Sequence, residues 1–371
     1  MQPTANVSAS RQDGRAPQQA GRRGVRGRPR SAATGKLRAV LAVIRLDFDP
    51  TVNWLSLTVR LETLAIAAAV FVAITLAGIG AGRMQARLDR LGATDDAERQ
   101  PRLRRDDLIL IAFGAVPGAV LGGRLGYVLI HLDYYQANPA SLADPGQGSL
   151  ALTTGLLLGL LGALGVARLL AAPIGRWLHV ASVPFLVGLG LSKLAMMLGG
   201  AGQGQYSDSS WATSYVRPGP WESFNPGLSA LPSQPLEGGL VLIAALLILV
   251  VPVLLRFRLR RWRRIVRPGW AARRDWVALR GGRRFVTALC LWAIARILAA
   301  FTWRDARVLG PFGADQLILL AIVGTCVAGF VLARIERRLG AARAARRAKR
   351  LEVARASDDA AAEAVRARPE A

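Results

Sequence analysis

The chain has 371 residues, 52% of them hydrophobic, with 49 Lys and Arg against 24 Asp and Glu, a formal net charge of +25. A mean hydropathy of +0.30 argues against an ordinary soluble domain and suits a polytopic membrane protein. The charge does not point to nucleic acid, because the basic residues fall in blocks between apolar runs and not on one recognition fold. The two cysteines, Cys290 and Cys326, lie inside apolar runs, and His131 and His179 lack ligand spacing. No disulfide framework, metal or cofactor is expected.

Residues 1–39 are rich in Arg, Gly, Ala, Pro and Gln and have no apolar core, which predicts a disordered basic tail; a translation start near Val40 would remove it. Seven apolar segments follow, at 62–80, 108–131, 150–170, 177–198, 238–255, 285–301 and 314–333. Each approaches the roughly 20 residues that cross a bilayer. The fold expected over 40–335 is an all-α integral membrane bundle of about seven transmembrane helices. The second to fourth segments are glycine-rich, which favours close helix packing. Residues 336–371 form a basic, Ala-rich cytoplasmic tail, read as a frayed helix.

The connections set the orientation. Arg83, Arg87, Arg90, Arg99, Arg102, Arg104 and Arg105 lie between the first two segments, and no Lys or Arg lies between the second and third. Basic and non-basic links alternate along the rest of the chain, which predicts N-out and C-in, against the basic N-terminal tail. The link 201–237, between helices 4 and 5, is then a long external loop with room for short helices. Trp211 and Trp221 within it read first as interface anchors.

Ionisable residues in or beside the apolar segments are the candidates for chemistry. Arg60, Glu62 and Arg304 sit near segment ends, where snorkelling to water is a bland alternative. Glu237, at the start of the fifth segment, is equally placed to be a simple dipole-favoured cap. Arg124, Lys193 and Arg296 lie deeper. An Arg near a bilayer centre costs about 3 kcal/mol on insertion scales, so such a residue implies a partner or a task. Cations with one or two carboxylates suit a phosphate-bearing lipid, since Arg offers phosphate a two-pronged fork.

Several motifs then resemble the bacterial prolipoprotein diacylglyceryl transferases. Leu121-Gly-Gly-Arg-Leu-Gly-Tyr-Val-Leu129 and the following Tyr134-Tyr135-Gln-Ala-Asn-Pro139 resemble that family's second-helix region, as do Arg105-Asp-Asp-Leu108 and Val116-Pro-Gly118. Leu231-Pro-Ser-Gln-Pro-Leu-Glu237 resembles its His-Pro-Ser-Gln-x-Tyr-Glu element, Trp211-Ala212 its Pro-Trp-Ala, and Gly313-Ala-Asp-Gln-Leu317 its Gly-Gln turn. The opening Val43-Ile-Arg-Leu-Asp-Phe-Asp-Pro50 fits the family's start, so the resemblance covers about 40 to 335. It implies transfer of a diacylglyceryl group from phosphatidylglycerol to the lipobox cysteine of a preprolipoprotein, in the bacterial plasma membrane. The product is a thioether, and glycerol phosphate leaves. It also implies that Arg124, Gly126 and Tyr127 face the lipid. Ser233, Gln234 and Glu237 would support the site, Gly204 would stand in the fourth-helix signature, and Arg304 would match an arginine after the sixth helix.

The departures are substantial. On the fourth helix Lys193 replaces the signature arginine, Met196 and Gly199 replace asparagines, and Ala201 replaces a glutamate. The third-helix His-Gly-Gly reads Thr153-Thr-Gly155, the first-helix Arg-Trp-Tyr-Gly reads Arg60-Leu-Glu-Thr63, and the histidine before Pro-Ser-Gln is Leu231. Glu62, Tyr127 and Lys193 remain as catalytic candidates, with Glu62 a substitute base if burial raises its carboxyl. Arg60, Arg124, Gly126, Lys193, Gly204, Ser233, Gln234, Glu237, Arg296 and Arg304 remain as phospholipid contacts. Two readings follow: a divergent transferase with a rebuilt site, or a catalytically degenerate member that binds phospholipid or lipoprotein precursors. A transporter ranks last, because the halves show no repeat of broken helices.

Overall fold

The computed structural model describes residues 43–54, 57–90, 102–142, 150–200, 202–218, 226–263 and 282–366. The expected N-terminal tail, Trp221 and most of the basic link before residue 282 lie outside the described residues.

Among the described residues, eight α-helices carry the fold: α1 (Leu61–Arg90), α2 (Arg105–Ile130), α3 (Leu132–Ala137), α4 (Leu152–Leu169), α5 (Ile174–Ala195), α6 (Ser233–Arg263), α7 (Arg283–Ala300) and α8 (Ala314–Arg366). Six of them, α1, α2, α4, α5, α6 and α8, are long and apolar enough to cross a membrane. The seventh expected span is α7. It has 18 residues and carries Arg283, Arg284 and Arg296, so composition alone marks it less clearly. Its surroundings explain how it tolerates them. α7 packs against α5, α6 and α8, and Ala288, Trp292, Ala293 and Ala299 on it are fully buried. The core joins these to Leu186 of α5, Val241, Ala244, Ala245 and Ile248 of α6, and Leu319 of α8. Alanines on the buried face let the backbones approach where lipid offers no hydrophobic drive for association.

The glycine-rich segments meet as expected. Gly114, Gly118, Gly122 and Gly126 recur every fourth residue on α2, which places them on one face, against Gly155, Gly159 and Gly162 of α4. A Cβ at Gly118 would fall on the Leu158 carbonyl, and one at Gly126 on the Thr154 side chain. Glycine is therefore required there for the backbones to touch. Large apolar residues such as Phe71, Phe113, Leu161 and Leu254 remain exposed on the helices, where acyl chains would cover them.

Several links contain short strands, and the described residues of the 201–237 link contribute one of them. β1 (Ile44–Leu46) runs parallel to β4 (Thr213–Tyr215), and β2 (Thr51–Trp54) pairs antiparallel with β3 (Leu57–Arg60) just before α1. β5 (Arg307–Leu309) and β6 (Phe312–Gly313) make a tight hairpin between α7 and α8. The β-branched and aromatic residues Thr213 and Tyr215 favour the strand, and isolated bridges tie Ala230 to Tyr206 and Thr213. Trp211 is half exposed here. At the C-terminus, α8 is continuous from Ala314 to Arg366, and its last 26 residues, 341–366, lie beyond the apolar span Ala314–Gly340.

Candidate active site

The deepest charges converge. α6 begins at Ser233, and its second turn buries Glu237 to 1% exposure. One carboxylate oxygen, Oε2, meets Lys193 Nζ of α5 at 3.0 Å, and the other, Oε1, accepts from the Arg296 guanidinium of α7 at 2.7 Å. Arg296 Nε also donates to Asp315 Oδ2 at 3.0 Å and towards Thr153 Oγ1 at 3.3 Å. Four helices, α4, α5, α6 and α7, and the first turn of α8 thus each supply one member. The Trp303 ring covers the cluster, 4.3 Å from the Arg296 guanidinium carbon and 5.6 Å from Lys193 Nζ. Cation–π contact of this kind gains strength away from water. Two cations facing two carboxylates satisfy the rule that buried charges must be paired.

A second polar layer lies beside it. Ser233 Oγ and Thr302 Oγ1 are 2.6 Å apart, and a Cβ at Gly204 would collide with the Ser233 hydroxyl and the Thr302 carbonyl. Gly204 is therefore fixed by close approach. Arg304 Nε donates to the Gly204 carbonyl at 2.6 Å, and its guanidinium lies 4.1 Å from the Tyr206 ring. Gln234 is buried next to Ser233. Gln316 caps the turn into α8 by accepting from the Gly313 amide at 2.8 Å and donating to the Ile297 carbonyl. Between the layers is a cleft lined by Gln205, Trp303, Asp305, Arg307, Asp315 and Gln316.

The other candidates sit apart from the four-charge cluster. Arg124 donates to the Ser141 carbonyl at 2.7 Å and lies 5.4 Å from the Tyr135 ring. It ties the short turn Pro139–Leu142 to α2. Tyr127 stacks on His131 at 4.2 Å, and Gly126 abuts Thr154, the neighbour of Thr153. Arg60 is exposed at the end of β3. Glu62 is half-buried with its carboxyl against Gly199, so that a Cβ there would fall on it. Nearby Tyr215 donates to the Met197 carbonyl at 2.6 Å. Burial, and then the charge of Glu62, push the Tyr215 phenol up to about 12. It stays protonated near neutrality and serves as a strut.

Sequence reading thus selected Lys193, Glu237 and Arg296, which the fold brings into contact, and Gly204, Ser233, Gln234 and Arg304, which flank them. It did not select Thr153, Asp315 or Trp303. Asp315 was visible only as an acid in a helix's first turn, and Trp303 as an aromatic beside Arg304.

The family model for prolipoprotein diacylglyceryl transferase matches residues 50–333. A phosphatidylglycerol–prolipoprotein diacylglyceryl transferase of Geobacter sulfurreducens is 29% identical over 223 residues, 58% of this chain and 74% of that protein. Proteins of the same description from Agrobacterium fabrum and Brucella ovis are 28% and 30% identical over 184 and 173 residues. Those matches cover 49% and 46% of this chain, and 62% and 58% of the relatives, less than two thirds of their length. With the family match running from before α1 into α8, the chain belongs to the prolipoprotein diacylglyceryl transferase family.

Proposed function

We propose that this protein transfers the diacylglyceryl group of phosphatidylglycerol to the lipobox cysteine thiol of a preprolipoprotein, in the bacterial plasma membrane. The observation that carries the reading is the convergence of Lys193 and Arg296 on Glu237 under Trp303. A guanidinium and an ammonium side by side in a low-dielectric site suit a phosphodiester and the charge that grows on departing glycerol phosphate. The tightly packed Gly204, Ser233 and Thr302 beside the cluster hold the polar wall of the cleft in place. Arg124 and Tyr127 supply a second face towards the lipid, whereas Gly126, expected there too, is buried against Thr154 in the helix seam; Glu62 stands near the end of α5 as a further acid.

One feature favours the second reading, a member that binds lipid without transfer. The cluster is charge-balanced, two cations against Glu237 and Asp315, so an arriving phosphate must displace a carboxylate. The two readings separate in a strain depleted of its own transferase. Expression of this protein should restore a diacylglyceryl mass shift to a test lipobox protein. No shift, with the protein present in the membrane, would favour the binding role.

The alternation of basic links supports N-out orientation, which puts the cleft on the outer face where a secreted cysteine arrives. A reporter inserted at Asp144 should then behave as external and one fused after Arg264 as cytoplasmic; the reverse pattern would overturn the orientation.

A further inference from the structure

We propose that Asp305, at the mouth of the cleft between α7 and α8, is the base that takes the proton from the acceptor thiol, an assignment that rests on the transferase reading above. Its position is set by the chain. Trp303 covers Arg296 and Lys193, and two residues later the backbone brings Asp305 into the cleft wall with Asp315, Gln316 and Arg307. Gly313 backs it, since a Cβ there would lie 3.9 Å from both Asp305 Cβ and Gln316 Oε1.

The other carboxylates of the region are committed. Glu237 holds Lys193 and Arg296, and Asp315 holds Arg296. Asp305 makes no hydrogen bond or ion pair among the described residues and is open to solvent. Of the two acids that line the cleft, it is the exposed one that no cation holds. The charges that act on it are those of Asp315 from α8, Arg296 from α7, Lys193 from α5 and His131 from the end of α2, and Arg307 lines the same cleft. The cleft walls, and then the Asp315 charge, push the Asp305 carboxyl above its ordinary range; Arg296, His131 and Lys193 pull the other way. A carboxylate raised in this direction is a stronger base for a thiol whose ordinary pKa is about 8.5.

The step balances without a further reactant. The thiol proton passes to the Asp305 carboxylate. The thiolate sulfur attacks the glyceryl carbon that carries the phosphate, so an S–C bond forms and the C–O bond breaks. The electron pair leaves on glycerol phosphate beside Arg296 and Lys193, and the Asp305 proton is then released to that phosphate.

The test uses the full chain in detergent micelles with phosphatidylglycerol and a synthetic lipobox peptide. Initial lipidation rates are followed against pH for the unaltered protein, Asp305→Asn and Glu62→Gln. Asp305→Asn should be about 100-fold slower near neutral pH, with phosphatidylglycerol binding unchanged. The deficit should shrink as pH rises towards about 8.5, where the peptide thiol ionises unaided. A deficit that is the same at every pH, no deficit, or a pH-rescued deficit in Glu62→Gln instead would overturn the assignment. An unaltered protein that binds lipid but transfers nothing would sink the transferase reading, and this base with it. An active protein with a pH-indifferent Asp305→Asn would sink the base alone.

Discussion

Glu237→Leu should cost the folded protein about 3–5 kcal/mol, the range for removing one partner of a buried ion pair. The side chain is 1% exposed and is shared by Lys193 at 3.0 Å and Arg296 at 2.7 Å. Leucine fills a similar volume, so the loss is electrostatic and not a cavity. Arg296 would keep Asp315, but Lys193 would lose the carboxylate it touches. Pairing Glu237→Leu with Lys193→Met should recover part of the loss, because an apolar pair needs no counter-charge. Chemical or thermal unfolding in micelles checks both. An unchanged midpoint in the single variant would mean that water, not Glu237, holds the cations.

Arg296→Lys should lower the lipidation rate by about 10²–10³-fold, the usual loss when a positioned donor to developing charge is removed. Lysine keeps the positive charge but not the geometry. The Arg296 fork spans Glu237, Asp315 and Thr153 at once and lies 4.3 Å from the centre of the Trp303 ring, and a point ammonium cannot hold such directional contacts together. Initial rates at saturating peptide, with phosphatidylglycerol varied, measure the effect. A loss smaller than about tenfold would show that the phosphate is handled elsewhere, with Arg124 the next candidate.

The helices were legible because bilayer length and apolar runs are local properties of sequence. The strands were not, because β1 and β4 are three residues each and pair across more than 160 positions. In the site, Lys193 and Arg296 announced themselves as charges inside apolar runs. Glu237 was ambiguous, since an acid near a helix start is usually solvated, and only its contacts with α5 and α7 settle its burial. Thr153 was marked only as standing where the family has a histidine, and nothing local said what it would do until Arg296 is placed beside it. Arg124 was conspicuous, but the sequence could not show its partners, because the Ser141 and Leu142 groups it meets are backbone carbonyls.

The seam between α2 and α4 bears on how this site can change shape. Where glycines let two backbones meet, with Gly118 against the Leu158 carbonyl and Gly162 against the Gly114 carbonyl, sliding one helix past the other means climbing over carbonyls. Thr153 is at the start of α4 and Arg124 is on α2. A Cβ added at Gly118 or Gly126 would press the two helices apart and so draw Thr153 away from Arg296.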